Sequence, residues 1–320
     1  MATRLPDLPD SVRVGAVLAA VIAFGVVFVA GTVIQSDLAA EPPLPPDASQ
    51  SVAGLQAQRI LERAILNMEG RRSVSAKVRQ SVDLFGKQPL GAGVYLEQRS
   101  ESGLLFRLEM RSQAGTEPSS LTVVCDGPHL WSYRAFGKEG AEEQTLERVD
   151  VLRVARALED AGRMPRPGTI GDWPGLGGLD RLLRGIRGAF QFDAVEQIQL
   201  RQQMPVWRLS GQWRGVGGDE ADTAPAERPD LKSLPPQVPP RIAIYLGQED
   251  LFPYRIEYLA LGGSGRDRGT KPMVTIDFYE VSLNVAIPPA RFVYKPGGLE
   301  YTDETKAFLR RMGVGKESEK

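Results

Sequence analysis

Two side chains with nucleophilic or acid–base potential stand close together: Cys125 and His129, four positions apart around Asp126-Gly127-Pro128. A thiolate beside an imidazole is a starting point for covalent catalysis. Cys125, however, ends the apolar run Leu121 to Cys125, where a free cysteine behaves as a small buried hydrophobe. A structural role is the expectation. With Cys 1 and His 1 in the whole chain, no intramolecular disulfide is possible, and any site needing two imidazoles is excluded.

Other chemical patterns fail on order or spacing. The stretch from Gly262 to Lys271 has the glycines of a phosphate loop, but its Thr270 precedes Lys271 and it joins two strand-like runs. Gly175-Leu-Gly-Gly178 follows no strong strand, so a connection between helices is expected there. Asp219, Glu220 and Asp222 lack the regular spacing of a calcium loop. Glu142 and Glu143 lie in an equally polar stretch. No catalytic residue, metal or cofactor is expected, and the chain is not read as an enzyme. Lys+Arg 39 against Asp+Glu 40 gives a net charge of −1, which leaves no basic footprint for nucleic acid.

What remains is aromatic and aliphatic surface on strand-like runs: Phe106, Leu108, Trp131, Tyr133, Trp207, Trp213, Tyr245, Tyr258 and Phe278. Two readings stay open. These residues fill an ordinary sheet–helix core, or they line the concave face of a curved sheet whose helical lid encloses an apolar pocket. Both want the same alternation.

The elements that would position them follow from periodicity. Ser51 to Glu69 carries Leu55, Ile60, Leu61, Ala64, Ile65 and Met68 on one helical face. Strands follow, at Val74 to Leu84, Gly91 to Gln98, Leu104 to Arg111, Leu121 to Cys125 and Leu130 to Arg134. Their short hairpin turns favour an antiparallel sheet. Helical spacing resumes at Val151 to Ala161, capped by Asp150, and at Leu179 to Ile186. Further strands are expected at Phe190 to Leu200 and Pro205 to Arg214, then around Ile244, Ile256 and Ile276. A short helix capped at Thr302 or Asp303 closes the domain.

The flanks are of another kind. After a polar 1–13, no residue from Val14 to Ser36 is charged, and roughly 20 such residues span a bilayer as a helix. Its length and the lack of a small-x-small exit favour an uncleaved anchor over an export signal. Arginines before the run favour a cytoplasmic N-terminus and a body on the periplasmic side. Pro42, Pro43, Pro45 and Pro46 make 37–50 a stiff spacer. The domain proper is 51–312, with a polar insertion at 215–240 and a frayed tail at 313–320.

The run Ile244-Tyr-Leu-Gly-Gln-Glu-Asp-Leu-Phe-Pro253-Tyr-Arg-Ile-Glu257 resembles the outer-membrane lipoprotein carrier (LolA-like) superfamily. There a strand, a short polar turn, an apolar residue plus proline and another strand recur. Ile276 to Pro288, with Asn284 before the apolar-Pro step, and Phe292-Val-Tyr-Lys-Pro296-Gly continue the likeness. The resemblance implies an α+β fold: an unclosed antiparallel β half-barrel of about 9–11 strands covered by helices, here preceded by one transmembrane helix. It implies binding of a lipid or a lipoprotein acyl chain in an apolar cavity, with Arg107 the candidate polar latch. The expected partners are a lipid, the inner membrane through 14–36, and a lipoprotein or another envelope protein. An alternative is a membrane-tethered regulatory or scaffold domain recognising an extracytoplasmic protein segment.

Overall fold

Alternation of buried and exposed side chains runs cleanly along β1 (Ser73–Val82), where Val74, Ala76, Val78 and Val82 face one way and Lys77, Arg79 and Ser81 the other. The protein is described here by a computed structural model covering residues 51–83, 90–100, 103–114, 117–137, 143–161, 178–214, 238–261, 269–311 and 314. The segment 14–36 read as a membrane helix, the 37–50 spacer and most of the 215–240 insertion lie outside these residues. Among the described residues no helix is long and apolar enough to cross a membrane.

From β1 the chain runs through β2 (Leu90–Ser100), β3 (Gly103–Ala114), β4 (Glu117–Cys125), β5 (His129–Phe136) and β6 (Glu143–Asp150), each antiparallel to its predecessor. A second meander comprises β7 (Phe190–Leu200), β8 (Met204–Trp213), β9 (Arg241–Gly247), β10 (Pro253–Leu261) and β11 (Thr270–Leu283). Antiparallel pairing of β1 with β11 fuses the two into one sheet. A two-residue strand, β12 (Thr302–Asp303), adds to β6 in parallel. The result is an unclosed, mostly antiparallel sheet of 12 strands with β12 and β7 at its edges.

Helix α1 (Val52–Glu69) precedes β1, with the Ser51 hydroxyl accepting from the Gly54 N–H at 3.1 Å. Helices α2 (Val151–Asp160) and α3 (Leu179–Ala189) lie between β6 and β7, and α4 (Thr305–Arg311) ends the domain. All four contribute to one apolar cluster with the strand side chains of one face, called inner below. The Cβ-less Gly54 lets α1 approach the Phe192 carbonyl closely. The outer face is crossed by a strap, 284–301, that contains a short 3-10 turn at Pro289–Phe292. Ile287 and Phe292 of the strap pack on Leu96 with Val94 and Leu105.

The strand count exceeds the expected 9–11 because β6 and β12 escaped the pattern. β6 is largely polar and only Leu146 and Val149 are buried. Thr302 and Asp303 are strand residues, and the last helix starts at Thr305, whose N–H donates to Asp303 Oδ1 at 3.0 Å. The Asp150 cap of α2 is formed as expected, accepting from the Arg153 N–H at 2.8 Å.

Thr305 is 0% exposed and its hydroxyl accepts from the Asp150 N–H at 2.9 Å, tying α4 to the β6–α2 corner. Thr305→Val strands that buried donor, so urea denaturation is expected to show a loss of about 1–3 kcal/mol. Phe292→Ala empties the centre of the strap's contact and is expected to lower stability by about 3–5 kcal/mol.

Candidate functional site

The inner face carries a chain of aromatic rings. Tyr95 meets Phe106 edge-on at 5.4 Å between centroids and Phe278 at 5.9 Å, and Phe278 meets Phe252 at 5.7 Å. Ala76, opposite Tyr95 in the ladder, is the small residue that lets these rings approach across β1. Phe252 arrives from the turn between β9 and β10. There Asp250 Oδ1 accepts from the Phe252 N–H at 2.9 Å, and Oδ2 accepts from the Tyr254 hydroxyl at 2.7 Å. The Leu251-Phe252-Pro253 step singled out in the sequence thus delivers a fully buried ring to the core.

Of the expected lining residues, Phe106, Leu108, Tyr258 and Phe278 are buried together on the inner face, and Trp207 and Trp213 pack against them half-buried. The remaining three lie on the other side. Trp131 and Tyr133 are in ladder register with Val124 and Thr122, on the face opposite Cys125 and Leu130. Trp131 is stacked on Tyr294 of the strap at 5.5 Å, its Nε1–H donating to Asp126 Oδ2 at 3.1 Å. Tyr245 belongs to an outer cluster with Val206, Ala243 and Leu259. Its hydroxyl donates to Glu257 Oε2 at 2.7 Å, and burial helps push its pKa up to about 12. Arg107 also faces outward: Nη1–H donates to the Arg291 carbonyl at 3.1 Å, so it fastens the strap, not a helix.

Cys125 and His129 are not brought together. Cys125 sits in the inner core, where burial pushes its thiol up to about 11, while the His129 ring tilts against Trp131 at 5.9 Å on the outer side. Among the described residues no group of His, Cys, Asp and Glu is placed to hold a metal. The loops 262–268 and 215–237, with Asp219, Glu220 and Asp222, and Glu142 lie outside the described residues. Glu143 is an exposed residue of β6.

One polar group on the inner face was not anticipated. Glu97 is 2% exposed, accepts from the Tyr95 hydroxyl, and accepts from the Leu179 N–H at 3.1 Å. It therefore caps α3 from the sheet, meeting a positive helix terminus with a carboxylate. Gly178, just before the helix, leaves room where a Cβ would run into the Glu97 carboxyl. Arg99 lies 2.9 Å from Asp180 Oδ1 and 3.7 Å from Glu97 Oε1, completing the cluster. Burial raises the Glu97 pKa above its ordinary value, and Asp180 adds to the rise. The bonds from Tyr95 and Leu179 and the Arg99 charge oppose it. A second tie, Arg184 to Glu69, joins α3 to α1.

No family model matches the chain, and no curated protein matches it. Among solved structures it is similar to LprF from Mycobacterium bovis, with 12% identity and a TM-score of 0.37, covering 73% of this chain and 96% of that one. It is also similar to the lipoprotein LppX of Mycobacterium tuberculosis, at 11% identity and a TM-score of 0.34, covering 74% and 97% of the two chains. A third is a domain from Vibrio parahaemolyticus assigned to outer membrane lipoprotein sorting, at 9% identity, a TM-score of 0.25 and coverage of 75% and 97%. Likenesses this distant do not name a ligand, so what this chain binds must follow from its own residues.

The Glu97 cap makes a signed prediction. A raised native pKa means that the native state keeps a proton the unfolded chain releases. This contribution to stability is largest at low pH and falls as pH rises through the window from the ordinary glutamate value to the raised one. Glu97→Gln is expected to flatten stability over that window, read as urea midpoint against pH. Glu97→Ala removes the acceptor that both the Tyr95 hydroxyl and the Leu179 N–H use, and is expected to lower stability by about 1–3 kcal/mol.

Proposed function

We propose that this chain is a non-enzymatic, lipid-binding protein of the bacterial envelope, holding an acyl chain or the acyl group of a lipoprotein against the inner face of a half-barrel. The observation that supports this most is how the inner face is covered. An unclosed sheet presents one continuous apolar surface, and it is met by helices instead of a second sheet. Helix α3 is fastened there by a local polar clasp, through the Glu97 cap and the Arg184–Glu69 pair, and not by a strand ladder. Such a cover can part from the sheet without breaking the sheet's own hydrogen bonds. Each buried CH₂ adds about 0.8 kcal/mol, so an acyl chain needs no charged anchor to be held. The non-enzymatic reading is supported by Cys125, a protonated thiol on the face opposite His129. Anchoring through 14–36, with the body in the periplasm, is part of the same proposal.

A specific observation favours a second reading, a tethered domain that recognises a protein segment. The strap exposes Val285, Val293, Leu299 and Tyr301 on the outer face. Crosslinking from position 293 in native membranes is expected to give a stoichiometric protein adduct on that reading alone.

The lipid reading is tested by extracting the purified full-length chain and identifying bound lipid by mass spectrometry. Roughly equimolar co-purified lipid is expected. A lipid-free protein that also takes up no added lipid would overturn it.

A further inference from the structure

Tyr258 is set apart from the other inner-face aromatics by its hydroxyl. The residue is 4% exposed, and among the described residues its Oη has no hydrogen-bond partner. Tyr95, by contrast, gives its proton to Glu97, Tyr254 to Asp250 and Tyr245 to Glu257. Tyr258 stands on β10 between Ile242 and Val274 of the flanking strands. Its ring tilts against Phe190 at 6.4 Å, and Phe190 meets Trp213 edge-on at 5.3 Å. This is the end of the sheet where α3 runs into β7, opposite the end where Glu97 caps the same helix.

A hydroxyl buried with nothing to bond is unfavourable, and phenylalanine would fill the same space without that penalty. Burial holds the Tyr258 pKa well above the usual tyrosine range, and among the described residues no charged side chain adds to the shift or opposes it. The hydroxyl is thus a neutral donor set among apolar side chains of the described residues. An ionised carboxylate placed there would exchange its hydration for one donor and no counter-charge, a strongly unfavourable step. An uncharged oxygen would lose little and gain the bond.

Resting on the lipid-binding reading, we propose that Tyr258 donates its hydroxyl proton to an uncharged oxygen of the bound lipid, an ester carbonyl or an alcohol. By this bond the site prefers esterified or alcoholic lipids to free fatty acids.

Quenching of tryptophan fluorescence by dibromostearate and by its methyl ester tests this, using the full chain in mild detergent at pH 8, where the free acid is ionised. Wild type is expected to bind the ester more tightly than the acid. Tyr258→Phe is expected to weaken the ester by about two- to ten-fold, the weight of one net hydrogen bond, and to leave the acid unchanged. The ligand-free variant should keep its Tm or gain slightly. If wild type binds neither lipid, the lipid reading falls and this inference falls with it. If wild type binds the ester and Tyr258→Phe binds it equally well, lipid binding stands and the role of Tyr258 is overturned. A lowered Tm in the ligand-free variant also overturns it, because the hydroxyl would then already have a partner.

Discussion

The pairing of β1 with β11 is the contact on which the architecture depends. It joins Val74 to Leu283 and Val82 to Val274, closing a long loop whose entropy must be offset by the ladder and the core it completes. Once it forms, the ends of the two meanders, β6 and β7, lie far apart in a single sheet. The chain must still run from one to the other. The described parts of that connection are the amphipathic helices α2 and α3, which pack on the inner face. The strap follows from the same geometry. It leaves β11 in the middle of the sheet and ends in β12 at the edge, so it crosses the outer face.

Helix α3 shows how one crossing is fixed. Its apolar side, Leu179, Leu183 and Ile186, would bury in several orientations. Glu97 selects among them, because a buried carboxylate tolerates few positions for the N–H groups it accepts from. The helix is therefore held at one end by a charge-assisted bond and at the other by direct continuation into β7. Between those points its hold on the sheet is apolar and non-directional.

Much of the element order was legible in the sequence, since hairpin turns and helix periods leave clear marks. The choice of inner and outer side chains was not. Alternation reports a face only when the other face is wet, and here the strap keeps much of the outer face dry. In β2, Val94 and Leu96 lie under the strap while Tyr95 and Glu97 point inward, so the aliphatic residues mark the outer side. In β9 every residue from Ile242 to Gly247 is buried for another reason: its outer side chains Ala243 and Tyr245 pack in a cluster with Val206 and Leu259, away from the strap. Trp131 and Tyr245 were grouped with Phe106 because large rings on strands look alike until register is known. Glu97 carried a faint signal, an acid directly after the apolar run Gly91 to Leu96, but only register shows that it reaches α3. Arg107, the candidate latch, points outward and bonds the strap at the Arg291 carbonyl, an element whose path across the sheet the sequence pattern does not mark.

The two covers differ in how they are attached, and that difference bears on which face can admit a ligand. The strap is held largely through backbone groups. The Asn284 N–H donates to the Ser73 carbonyl at 2.9 Å, the Arg72 N–H to Asn284 Oδ1 at 3.0 Å, and Arg107 to the Arg291 carbonyl. At its far end β12 joins the ladder, and Arg148 stacks on Tyr301 at 4.3 Å while bonding Asp303 Oδ2 at 3.0 Å. Lifting it would break several directional bonds in succession. The inner helices meet the sheet mostly through side chains that exchange apolar partners with little penalty, and an acyl chain offers the same apolar contact that it displaces. Two of the polar groups of the inner face, Glu97 and Tyr258, then differ in charge. Glu97 and Arg99 close one end with interactions already satisfied inside the protein, and Tyr258 leaves an uncharged donor at the other. On the proposed lipid-binding reading, a face so arranged favours a neutral lipid over an ionised one.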